Sequence, residues 1–183
     1  MLKNAGVAHA RDPAAVDERA IRDELLKSGA AAETAALALA RAKAAETAKR
    51  HPGALVIGAD QILECGGRWF EKPKDADDAK RTLQALQGRT HRLVSAVSVH
   101  RDAVRPWEHV ETATLTMRKL ADAEIARYLA EAGPEALESV GVYRLEGIGA
   151  RLFTRVEGDF FTILGLPLLP LLAFLGEAGS LDG

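Results

Sequence analysis

Ala54-Leu55-Val56-Ile57-Gly58-Ala59-Asp60-Gln61 is an apolar run that passes through a glycine and then presents one carboxylate. Apolar residues that follow the breakers His51-Pro52-Gly53 read as a buried strand. Gly58 lets backbone or ligand approach closely, so Asp60 is expected to project from the strand's carboxyl end, where open α/β sheets bind ligands. A lysine follows at short range in Glu71-Lys72-Pro73.

Outward from this strand, helices alternate with strands. Ala35 to Lys49 is rich in Ala, Leu and Lys, which favour helix, and His51-Pro52-Gly53 stops it. Gly66-Gly67 after Cys65 reads as a hairpin turn. Asp75 is an N-cap for a helix through Gln87, with Asp78 at the capping-box position, Ala79, Leu83 and Leu86 on one face, and Gly88 at its end. Leu93 to Val99 reads as a strand. Val110 to Met117 alternates threonines with apolar residues, as a strand with one wet face does. Asp122 opens a helix that groups Ile125, Tyr128 and Leu129 and stops at Gly133-Pro134. Val140 to Leu145 and Arg151 to Val156 are predicted strands, before an apolar C-terminal helix. Without linker or repeat, residues 1–183 are expected to form one mixed α/β domain.

Composition narrows the function classes. The chain has 183 residues, 48% of them hydrophobic, enough for a sizeable core. A net charge of -2, with no basic cluster interleaved with aromatics, argues against broad nucleic-acid binding. Cys65 is the single cysteine and has no zinc-spaced partner, which fits a reduced, cytoplasmic setting. Charged residues from Lys3 to Arg19 leave no room for a signal-peptide apolar region. Ile163 to Leu175 is interrupted by Gly165, Pro167 and Pro170 and is too short to span a membrane core of about 30 Å. It reads as a buried helix with proline at its start.

Gly58-Ala59-Asp60-Gln61, Glu71-Lys72-Pro73, Gly88-Arg89-Thr90-His91, Tyr143-Arg144-Leu145-Glu146-Gly147-Ile148-Gly149-Ala150 and Gly158-Asp159-Phe160-Phe161-Thr162-Ile163-Leu164-Gly165-Leu166-Pro167 together resemble the Maf family of nucleoside triphosphate pyrophosphatases in order and spacing. The resemblance implies an elongated mixed sheet flanked by helices, with ligand in a cleft between two lobes, often in a homodimer. It also implies hydrolysis of a nucleoside triphosphate between its α and β phosphates, which removes non-standard nucleotides, and a link to cell-division arrest. A polyanionic substrate needs a divalent cation, Mg²⁺ or Mn²⁺, held by carboxylates, and lysines to offset phosphate charge.

By the resemblance, Asp60 matches the catalytic acid, activating water directly or through a metal. Glu18, in Val16-Asp17-Glu18, matches an acid that shares the metal. Lys43, in Ala42-Lys43-Ala44, and Lys72, held extended by Pro73, match phosphate-binding cations. Without the family match, Glu18 and Lys43 would read as solvated surface charges. Gln61 and Glu146 match the subgroup that favours 7-methyl-GTP, whereas the dTTP and UTP group carries Thr and Gln there. A buried Glu146 carboxylate would suit a base made cationic by N7-methylation. A dTTP/UTP-type pyrophosphatase, or a catalytically silent nucleotide-binding regulator, stands as the alternative.

Other features carry plainer readings. Gly147-Ile148-Gly149 lacks the further glycine of a dinucleotide fingerprint, and a strand is expected after it. His91 is expected to be a structural hydrogen-bonding residue at a strand start, and Trp69 and Trp107 to be packing residues.

Family members begin with a strand and a Ser-x-Ser-x-x-Arg loop at a helix N-terminus, suited to phosphate binding. Met1-Leu2-Lys3-Asn4-Ala5-Gly6-Val7 instead resembles the end of the helix that follows that loop. Two expectations compete, a start codon placed inside a longer reading frame, which is favoured because the downstream site positions are intact, and a short chain that binds nucleotide poorly. Under the first, an upstream-extended protein should turn over nucleotide much faster and melt higher than residues 1–183, and equal behaviour would refute it.

Overall fold

β-Branched and apolar residues continue past Asp60 in Ile62-Leu63-Glu64-Cys65, so the strand does not stop at the carboxylate. The computed structural model describes residues 1–102, 104 and 106–181. In chain order it contains α1 (Glu18–Lys27), α2 (Ala32–Ala48), β1 (Val56–Cys65), β2 (Arg68–Phe70), α3 (Ala76–Leu86), β3 (Thr90–His100), β4 (Trp107–Met117), α4 (Asp122–Ala132), β5 (Phe153–Glu157), α5 (Phe160–Ile163) and α6 (Leu168–Glu177). Short 3₁₀ turns cover Leu2–Ala5, Pro134–Glu138 and Ile148–Leu152. The strands form one five-stranded sheet in the order β2-β1-β3-β4-β5, so the class is α/β as expected.

Asp60 is therefore in the middle of β1 and not at its end, a correction to the sequence reading. Gly58 does not lead the chain out of the strand, which runs on to Cys65. Its role is close packing: a Cβ there would lie 2.3 Å from the Ala40 carbonyl oxygen and 2.6 Å from the Ala44 nitrogen of α2. Gly66 and Gly67, at φ 60° and 79°, form the expected two-residue turn, and the antiparallel register pairs Cys65 with Arg68.

Three further expectations are corrected. Val140–Leu145 is a run of turns, because Val142 takes φ 63°, outside the range of a pleated strand. Val142 and Tyr143 are nonetheless buried, so their apolar character reflects a packed turn. A 3₁₀ turn follows Gly147, and the strand begins only at Phe153. The C-terminal apolar run is divided at Gly165, φ 101°, into α5 and α6.

Contacts divide the chain into two compact units. The first comprises Met1–Gln61, Val94–Glu111 and Asp159–Gly183. Within it the alternation of β1 sorts side chains onto two faces. Gly58 and Asp60 face α2, while Leu55, Ile57 and Ala59 pack with Val97, Val99 and the α6 residues Leu168, Leu171 and Leu175. Trp107 stacks on Phe174 at 4.7 Å, the packing role expected of it. The second unit comprises Ile62–Leu93 and Thr112–Gly158. In it α3 packs on α4, Asp75 caps α3 through the Asp78 amide at 2.8 Å, and β4 pairs antiparallel with β5. No helix among the described residues is long and apolar enough to cross a membrane.

Because α2 lies directly on Gly58, Gly58→Ala should force the helix away and cost about 1–3 kcal/mol of stability. Urea midpoints at constant slope measure the loss, and an unchanged midpoint would refute the close approach.

Candidate active site

The contact of α2 with β1 carries Lys43 onto Asp60. Ala40 and Ala44 are the small residues that allow the helix to sit against Gly58, and Lys43 extends from the same helix surface. Its ammonium donates to Asp60 Oδ1 at 2.7 Å. The same nitrogen lies 2.9 Å from Glu18 Oε2. Glu18 is the first residue of α1, whose N-cap Asp17 accepts from the Ala20 amide at 3.0 Å and fixes the start of the helix. Three residues distant in sequence, Glu18, Lys43 and Asp60, thus form one cluster.

The cluster joins two carboxylates to one ammonium. Burial pushes the Asp60 carboxyl above its ordinary value, although Lys43 and Arg22 pull it down, and the Glu18 charge adds to the rise. Burial works against the Lys43 ammonium as well, but Asp60 and Glu18 outweigh it and hold its pKa above the usual lysine value. The difference follows from the geometry. Lys43 gains from two anions, whereas for Asp60 burial is the largest effect and Glu18 opposes the pull of Lys43 and Arg22. Asp60 is 9% exposed, and its Oδ2 has no hydrogen-bond partner among the described residues.

A buried, unsatisfied carboxylate oxygen is a costly group that normally has a reason. Oδ2 can accept a proton from water or bind a cation. Hard oxygen donors suit Mg²⁺ or Mn²⁺, which commonly take one or two carboxylates and complete their shell with water and phosphate oxygens. Asp60 and Glu18 fit that description. Among the described residues there is no group of three or more His, Cys, Asp or Glu that would hold a metal alone.

Gln61, the neighbour of Asp60, is turned to the opposite face of β1. Its side-chain nitrogen lies 2.9 Å from Ser95 Oγ, 3.0 Å from the Thr162 carbonyl and 3.2 Å from the Ile163 carbonyl. Lys72 and Glu146 belong to the second unit. Lys72 is exposed, next to the buried Pro73. Glu146 is exposed and not buried as expected, because it lies in a surface turn; its Oε1 accepts from Arg144 Nε at 3.0 Å. Arg144 also donates to Glu135 at 2.6 Å.

His91 is 1% exposed and its Nε2 lies 2.7 Å from the Tyr143 hydroxyl. Burial lowers its pKa to about 4, so it is neutral at pH 7, in keeping with a structural role. Cys65 is buried, and burial pushes its thiol up, away from reactivity. The sequence reading missed Arg22, one turn after Glu18 on α1, whose charge reaches Asp60. The i, i+4 spacing of Glu18 and Arg22 was the available signal. It also missed Ser95 and Thr162, hydroxyls fully buried beside Gln61.

The description Maf-like protein fits residues 1–178. A 7-methyl-GTP pyrophosphatase of Rhizobium etli is 52% identical over 183 residues, covering all of this chain and 92% of that protein. A nucleoside triphosphate pyrophosphatase of Paramagnetospirillum magneticum is 51% identical, covering 99% of this chain and 93% of its own length. A 7-methyl-GTP pyrophosphatase of Brucella abortus is 48% identical over the whole chain and 92% of its own. With matches over nearly its full length and the quoted motifs in order, the chain belongs to the Maf family.

Proposed function

We propose that this protein is a nucleoside triphosphate pyrophosphatase that cleaves the α–β phosphoanhydride of a modified nucleotide, 7-methyl-GTP in first place, to the monophosphate and pyrophosphate. The observation that carries the reading is the buried Asp60, whose Oδ2 has no hydrogen-bond partner among the described residues and whose Oδ1 is held by a lysine that Glu18 also grips. Kinship at about half identity with proteins named for this activity supports it.

Asp60 Oδ2 accepts the proton of the attacking water. Burial raises its pKa above the ordinary carboxylate value, which makes it a stronger base than an exposed carboxylate. Lys43, charged over the whole working range, offsets negative charge that grows on the phosphate oxygens. Glu18 restrains the lysine, which would otherwise be a mobile side chain. Asp60 and Glu18 would hold Mg²⁺ or Mn²⁺, which supplies further positive charge to the phosphates. Lys72 is a second phosphate cation in this reading. Glu146 accepts from the base edge, and its carboxylate favours the cationic ring of a 7-methylguanine, with Arg144 fixing its orientation. A free nucleotide as substrate suits an enzyme that clears the cytoplasmic nucleotide pool.

Pyrophosphate release from 7-methyl-GTP, GTP, dTTP and UTP with Mg²⁺ or Mn²⁺ tests the reading, and no release from any of them would refute it. Asp60→Asn should lower turnover by about a hundredfold or more. The same change should raise the melting temperature at neutral pH. Because the folded pKa of Asp60 is raised, wild-type stability from this group is complete below its unfolded value of 3.8 and declines as pH rises through the folded value. The advantage of Asn should therefore vanish in acid and appear as pH rises. Equal melting curves at all pH values would contradict the burial argument. Glu146→Gln should weaken preference for 7-methyl-GTP over GTP, by roughly 1.5–3 kcal/mol for a charge-assisted hydrogen bond.

A further inference from the structure

α5 spans only Phe160–Ile163, and its end is closed by two backbone bonds, from Gly165 N to the Thr162 carbonyl at 3.0 Å and from Leu166 N to the Phe161 carbonyl at 3.1 Å. This is a Schellman ending with Gly165 in positive φ at 101°. Helix ends expose carbonyls that need donors, and a helix this short has little strength of its own. Here the donors come from the sheet. Ser95 Oγ donates to the Thr162 carbonyl at 2.7 Å. The Gln61 side-chain nitrogen lies against that carbonyl, the Ile163 carbonyl and Ser95 Oγ. At the other end, Asp159 Oδ1 accepts from Thr162 N at 3.0 Å, and Thr162 Oγ1 donates to Glu111 Oε2 at 2.8 Å. Ser95 and Thr162 are each 0% exposed.

The two amide hydrogens are shared among three acceptors, so the nitrogen end of the side chain has no donor left over for a ligand. Gln61 also leaves β1 on the face opposite to Asp60, the face shared with Ile57, Ala59 and α6. A nucleotide held at Asp60 therefore does not meet the Gln61 amide across the same face of the strand. We propose that Gln61 is a positioning residue: with the buried Ser95 it clamps the carbonyl end of α5, and residue 61 influences nucleotide choice through the Asp159–Gly165 segment rather than by contact with the base. The influence on nucleotide choice rests on the pyrophosphatase reading; the clamp itself does not.

The clamp predicts that Ser95, which can touch no nucleotide, behaves like Gln61. Gln61→Ala and Ser95→Ala should each speed hydrogen exchange at the Leu164, Gly165 and Leu166 amides by roughly tenfold in the ligand-free protein, the effect of one lost hydrogen bond. Gln61→Glu should act more strongly than Gln61→Ala, since it sets carboxylate oxygen against two carbonyls. Both alanine variants should shift the kcat/KM ratio of 7-methyl-GTP to GTP in the same direction through KM, the double variant no further than the larger single, with the pH profile of kcat unchanged. Unaltered exchange in both variants overturns the clamp. Altered exchange with an unaltered ratio in both overturns its link to nucleotide choice. A ratio that moves with Gln61→Ala but not with Ser95→Ala assigns Gln61 to direct base contact and overturns the proposal. A wild-type protein that cleaves no nucleotide removes the pyrophosphatase reading alone, because the exchange measurement still decides the clamp.

Discussion

The candidate site depends on how close a helix can come to a strand. Ala40 and Ala44 of α2 meet Gly58 of β1 at distances where any side chain on the strand would collide with the helix backbone. That contact is made of small residues, so it supplies little burial per residue; its value is geometric. It brings Lys43 within 2.7 Å of a carboxylate that the strand has already taken out of water. A wider spacing would leave the lysine in solvent and Asp60 with no cation beside it, which neither folding nor catalysis would tolerate well.

Adjacent residues in a strand are neighbours in sequence and strangers in space. Asp60 belongs to the α2 face with Gly58, and Gln61 to the α6 face with Ile57 and Ala59. A motif read as the string Gly-Ala-Asp-Gln therefore mixes two jobs. One residue faces the cluster of charges, the other donates to the Thr162 and Ile163 carbonyls at the end of a short helix. The strings of a family signature need not converge on one ligand, since a signature also records what holds the site in shape.

The fold class, most helices and the Gly66-Gly67 turn were legible because they rest on local chemistry: caps, breakers and alternation act over a few residues. The errors share a cause. Val140–Leu145 was read as a strand from its apolar content, but Val142 takes positive φ and Tyr143 is buried by a turn, which alternation cannot reveal. Gly58 was read as a strand exit because a glycine that admits a helix looks the same in sequence as one that ends a strand. Of the site, Asp60 was legible as a lone acid in an apolar run, while Glu18 and Lys43 were visible only through resemblance. Their meeting depends on the packing of α1 and α2, and surface-like charges give no local sign of it.

The Glu18, Lys43 and Asp60 cluster is an unfavourable place for charge that the fold nonetheless keeps. Two carboxylates share one ammonium, and Asp60, itself 9% exposed, has no hydrogen-bond partner for Oδ2 among the described residues. A structural role would be served better by a neutral amide or by a second cation. A base needs the opposite: an acceptor oxygen kept free, in low dielectric, with a proton affinity raised by its surroundings. Lys43 limits that rise, because without it Asp60 would be driven further toward its protonated form and would lose the lone pair that chemistry uses. Lys43 thus sets how far the Asp60 pKa rises, and in the proposed reaction the same ammonium would face the phosphates.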